Sequence, residues 1–154
     1  MLGKILLTLT ALALIVLTPM ADYSDTHIFN PRWPPHAKLF FFHPPLPISS
    51  TNHPKCIPRF HNGQTITLSV TLGLATLFLT HRPDLPAAAG ALRRESARMA
   101  AFTGSVYWFA GLAAYFFPGS DGVDPEFGGP GFPQGKLFAA FGVMAVVGGL
   151  LEGR

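Results

Sequence analysis

Four stretches of this chain are apolar on every helical face, and polar, charged or proline-rich segments separate them. The first, MLGKILLTLTALALIVLTPMA, has no charge over residues 5–17 and with its flanks approaches the roughly 20 residues that cross a bilayer. The second, GQTITLSVTLGLATLFLT, and the third, MAAFTGSVYWFAGLAAYFF, contain no charged residue at all. The fourth, GKLFAAFGVMAVVGGLL, has a shorter uncharged part, which Lys136 extends by snorkelling. These patterns predict four transmembrane helices over about 2–21, 63–80, 99–117 and 135–151. A buried helix of a soluble protein would keep a charged outer face, and the second and third stretches have none. Strands are the weaker reading. The β-branched density near residues 65–71 is high, but the block is too long and too evenly apolar for one strand. Backbone in lipid must also close its own hydrogen bonds.

The first stretch has a second reading. A lone Lys4 ahead of it and Pro19-Met20-Ala21 behind it also suit a secretory signal peptide. Both readings send the next segment to the lumenal or exterior side.

Charge between the stretches sets the topology. The connection over residues 81–98 carries Arg82, Arg93, Arg94 and Arg98 against Asp84 and Glu95. The connection over 118–134 carries Asp121, Asp124 and Glu126 and no Lys or Arg. The positive-inside rule puts the arginine connection in the cytoplasm, the acidic one in the lumen and both termini in the cytoplasm. The first loop runs against the rule, since Arg32, Lys38, Lys55 and Arg59 must then be lumenal. Within the arginine connection, ALRRESARM reads as a short basic helix able to lie on anionic lipid, with a solvated loop that only sets topology as the favoured, blander reading.

Composition agrees with this picture. Only 12% of residues are charged, about half the share of a soluble domain, and mean hydropathy is +0.34. The net charge of +3 is scattered, so no nucleic-acid partner is expected. The single cysteine, Cys56, excludes an internal disulfide and a cysteine-built zinc site. Small residues recur four apart at Ser69/Gly73, Ala100/Gly104, Ala110/Ala114 and Ala145/Gly149, a spacing that lets membrane helices approach closely.

The segment over residues 22–62 differs from everything else. Its middle, LFFFHPPLPISSTNHPKCIPR, contains five prolines and supports no regular element. On either side lie THIFNPRWPPHAK (26–38) and FHNGQT (60–65). On these two pieces the chain resembles a family of small, uncharacterised, four-helix integral membrane proteins of filamentous fungi. In the resembling proteins the two pieces read as continuous. Here 21 residues, 39–59, lie between them. That length suits a retained intron, which would leave an unstructured insertion; a true loop insertion is the rival reading.

The lumenal side gathers Asp22, Asp25, His27, Asn30, Arg32, Trp33, His36, His61, Asn62 and Gln64. The candidate catalytic residues are His27, His61, Asp25, His36 and Arg32. Histidine moves protons near neutral pH, Asp25 can orient one of the rings, and Arg32 can hold an anionic or carbonyl group. Asp124 and Glu126 would face the same side. Such a set suits isomerisation, cyclisation or epoxide opening of a lipid-like or secondary-metabolite substrate. The bland reading is a lumenal cap whose polar groups satisfy backbone above the helix ends. No complete metal, dinucleotide or phosphate-loop signature is present, so no metal and no cofactor are assigned.

The expected fold is an all-α integral membrane bundle of four transmembrane helices with a lumenal loop cap. The expected role is a non-catalytic scaffold or partner-binding protein in the endoplasmic reticulum or another endomembrane. A small membrane enzyme is the alternative. The partners expected are the lipid bilayer, an apolar small molecule in the enzyme case, and a membrane-protein partner or a second copy.

Overall fold

A computed structural model describes residues 1–24, 27, 29, 57–83, 89–117 and 131–154. Four helices account for nearly all of them: α1 (Leu2–Asp22), α2 (Ile57–His81), α3 (Ala89–Ala114) and α4 (Gly135–Glu152). The described residues contain no sheet. The helices form an up-down-up-down ring. α1 packs against α2 and α4, α3 packs against α2 and α4, and α1 touches α3 only lightly across the diagonal. One end of the ring, here called the terminal end, carries both chain termini and the α2–α3 connection. The other, the loop end, is where α1 finishes and α4 starts.

The bundle is inverted relative to a water-soluble one. Its interior is rich in small and hydroxyl-bearing residues beside a few large ones (Leu7, Leu14, Trp108): Thr10, Ser69, Thr76, Ala11, Ala100 and Ala145 are all fully buried. Large apolar residues point outward, as Ile5, Leu9, Leu12 and Val16 do along α1 and Val143, Val147 and Leu150 along α4. In water such a surface would be a continuous sticky patch; in lipid it is the favoured one. α1, α2 from Asn62 and α4 are each long and apolar enough to cross a membrane. The chain is a multi-pass membrane protein.

α3 departs from the sequence pattern in two ways. The basic piece ALRRESARM is not a separate helix on the surface. It forms the first turns of α3, which runs unbroken from Ala89. α3 is also absent from the helices that reach membrane-crossing hydropathy among the described residues. At the other end α3 stops at Ala114, and Tyr115–Phe117 continue as a turn. α2 begins at Ile57, so its first turn takes in the last three residues of the 39–59 segment.

Close approach explains the interior. A Cβ on Gly3 would meet Cγ of Glu152 and the Gly148 carbonyl, both at 2.6 Å, so α1 and α4 touch backbone to backbone there. Gly73 packs on the Ala11 carbonyl and Ile15 of α1, and Gly104 packs on Ala145 and Thr76. Gly149 packs on Ala97 and Ala101. Three of the four small-residue pairs therefore mark real contacts. The fourth does not: Ala110 and Ala114 are exposed. Toward the loop end, α3 and α4 exchange rings for glycines, Phe109 lying against Gly142 and Phe138 against Gly111. Trp108 fills the centre of that half, 2% exposed and stacked on Phe141 at 5.0 Å.

Candidate functional site

At the loop end, α1 closes with Pro19 in its last turns, and the Tyr23 amide donates to the Pro19 carbonyl at 2.8 Å. The chain then turns back. The amides of His27 and Phe29 both donate to the Ser24 carbonyl at 3.1 Å, and the Tyr23 and Phe29 rings meet edge-on at 4.9 Å. This turn holds His27 within electrostatic reach of Asp22. Tyr107 of α3 sits against Thr18 and also feels the Asp22 charge. Deeper in the same half, the side-chain amide of Asn62 and the indole N–H of Trp108 are buried, with no hydrogen-bond partner among the described residues.

Of the five predicted site residues, His27 is described, and it lies within electrostatic reach of Asp22. His61 lies in the first turns of α2, at this same end; its side chain is outside the description. Asp25, Arg32 and His36 lie outside the described residues, as do Asp124 and Glu126. Among the described residues no three His, Cys, Asp or Glu side chains converge as metal ligands would.

The terminal end holds a second polar constellation, which the sequence reading missed. Glu152, the last residue of α4, is 6% exposed. Its Oε2 accepts from Arg93 Nη2 of α3 at 3.0 Å. Its Oε1 accepts from the Lys4 amide at 3.2 Å and from the Met1 amino group at 3.1 Å. The carboxylate therefore caps the amino end of α1 from a different helix, where a negative charge suits the helix dipole. Nearby, Arg82 Nη2 donates to the Leu92 carbonyl at 3.1 Å and Thr8 shares a 2.8 Å hydrogen bond with His81. A small recess of about 30 Å³ opens among Lys4, Leu7, Leu79, Arg82, Arg93 and Glu152.

A signal for this constellation existed. An acid in the last turn of an apolar helix opposes the helix dipole, so a buried Glu152 calls for cations. The sequence reading used Lys4 and Arg93 only as topology markers, and the partner of Glu152 lay in two other helices.

The arrangement can do different things at the two ends. The loop end offers two buried donors with no partner among the described residues, and a histidine and a phenol near an acid. The terminal end offers a fixed carboxylate within an excess of cations. No curated protein and no solved structure matches the chain. One family model does match, over residues 41–153. That range begins inside the 39–59 segment and leaves the 26–38 motif ahead of it, while taking in α2, α3 and α4. By that match the chain belongs to a family of unknown function, DUF6640.

Proposed function

We propose that this protein is a non-catalytic scaffold or partner-binding protein of a fungal endomembrane, crossing the bilayer four times with both termini cytoplasmic. One observation carries the reading. Polar side chains inside the bundle tie its helices together: Glu152 joins α1, α3 and α4, and the Thr76 and Thr103 hydroxyls join α2 to α3 at 2.8 Å. α3 counts as the fourth span because it packs between two membrane-crossing helices, from Ala97 at one end to Gly111 at the other. The endoplasmic reticulum suits the shortest helix, α4. Eighteen residues of α4 give about 27 Å at 1.5 Å per residue, close to the thinner bilayer of that organelle.

The enzyme reading has its own support at the loop end. Asn62 and Trp108 keep buried donors unpartnered, and Asp22, His27 and Tyr107 lie at the same end. A carbonyl or epoxide oxygen of a lipid-like substrate would satisfy such donors.

Replacing His27 and His61 with alanine separates the two. On the scaffold reading, abundance or partner capture changes and the lipid and metabolite profile does not. Loss of one specific product at normal abundance and placement would transfer the assignment to the enzyme. Glycosylation acceptors placed in 22–56 and 118–130 test the topology. Both should be modified, and an acceptor in 84–88 should not. The interrupted motif is read at the transcript. A spliced message joining codons 38 and 60 supports the intron. A message keeping the segment, which the match beginning at residue 41 favours, removes it.

A further inference from the structure

The recess at the terminal end is lined from all four helices and their ends. Its volume of about 30 Å³ admits a water or the oxygen edge of a larger group whose remainder stays outside. Its charges do not balance. Among the described residues, Lys4, Arg82 and Arg93 line it with one carboxylate, Glu152, which leaves two positive charges in surplus.

That surplus has free donors. Glu152 is already saturated by Arg93, the Lys4 amide and the Met1 amine. Arg82 gives one hydrogen bond to the Leu92 carbonyl and Arg93 one to Glu152, whereas each guanidinium carries five N–H groups. The Lys4 ammonium makes no hydrogen bond or ion pair with any described residue. Leu7 and Leu79 supply the apolar part of the lining.

The geometry points to an oxyanion site here, one that takes a phosphate group. Two arginine forks and a lysine converging from three directions match phosphate oxygens better than a single carboxylate. The ends of apolar helices put the recess at headgroup depth, where the phosphate of an anionic phospholipid is abundant. A soluble phosphate presents the same chemistry. Glu152 serves as the internal counter-ion that fixes Arg93 in place. This inference rests on the recess alone and stands whether the protein is a scaffold or an enzyme.

The test uses the full chain in detergent, with native mass spectrometry to count retained lipids after mixing with phosphatidic acid and phosphatidylcholine in equal amounts. A parallel arm titrates inorganic phosphate against the arginine side-chain nitrogen resonances. The wild type should keep one phosphatidic acid at least about tenfold more often than phosphatidylcholine. The Lys4→Gln, Arg82→Gln double variant should lose that preference about tenfold. Arg94→Gln and Arg98→Gln, which remove charge from exposed positions on α3 outside the recess, should keep it. Saturable shifts with inorganic phosphate and no retained lipid assign the site to a soluble phosphate. Equal losses from the Arg94 and Arg98 variants would reduce the effect to diffuse surface charge and overturn the site. So would a wild type that retains neither lipid selectively and shows no saturable shift, a result that needs no variant to fold.

Discussion

Glu152 and Lys4 stand at opposite ends of the sequence and one hydrogen bond apart: Glu152 Oε1 accepts the Lys4 backbone N–H at 3.2 Å. The bond closes the ring of helices, because the same carboxylate also holds Arg93 of α3. Replacing Glu152 with alanine removes the cap of α1 and leaves Arg93 without its partner. The expected loss is about 1–3 kcal/mol of stability, with the lower part of the range favoured because Arg93 is half exposed and screened. Thermal unfolding in detergent reads it. A double-mutant cycle with Arg93→Ala should return a coupling energy well above zero; strict additivity would count against the linkage.

The backbone contact of α1 with α4 gives a steric prediction. Gly148→Leu or Gly3→Leu drives a side chain into the facing helix and should destabilise by about 1–3 kcal/mol or separate the pair. Ala114→Leu, on an exposed position of α3, should be within about 0.5 kcal/mol of wild type. Equal tolerance at all three positions would mean that α1 does not pack on α4 as described.

Thr76 and Thr103 provide a measure of polar contact inside the bundle. Thr103→Val removes the inter-helix hydroxyl pair while keeping volume, and the coupling with Thr76→Val should be about 0.6–1.7 kcal/mol. Each hydroxyl also donates to, or lies beside, a carbonyl of its own helix, which is why the larger values are not expected.

Trp108 combines a large buried volume with an unpartnered N–H. Trp108→Phe deletes the unsatisfied donor and leaves a modest void, so the two effects oppose and the net change should stay within about 1 kcal/mol. Trp108→Ala loses the stack on Phe141 and opens a cavity, with an expected loss of about 3–5 kcal/mol. If Trp108→Phe proved as damaging as Trp108→Ala, the indole N–H would have a partner, and a ligand at the loop end would be the first to look for.

Most of the helical architecture was legible in the chain because lipid-seeking stretches announce themselves by the lack of charge over a bilayer's width. α1 and α4 run almost where the apolar pattern put them. α3 did not, because its helix continues through Arg93, Arg94, Glu95 and Arg98, and continuity of backbone hydrogen bonding ignores a change in polarity. Spacing alone also could not separate Ala110/Ala114, exposed, from Ala145/Gly149, at a contact, since small residues are common on lipid-facing sides as well. Of the predicted site, His27 is described and has Asp22 within electrostatic reach; Asp25, Arg32 and His36 lie outside the described residues. Glu152 was missed because its meaning depends on partners drawn from two distant helices.

The hydroxyls of the helices bear on how the molecule is made. Thr67, Thr71, Thr80 and Ser96 each donate to the carbonyl four residues earlier in their own helix. A hydroxyl so arranged is not an unmet donor when its helix first partitions alone from the translocation machinery into hydrocarbon. These hydroxyls therefore do not oppose insertion ahead of assembly, and each segment can choose its neighbours afterwards.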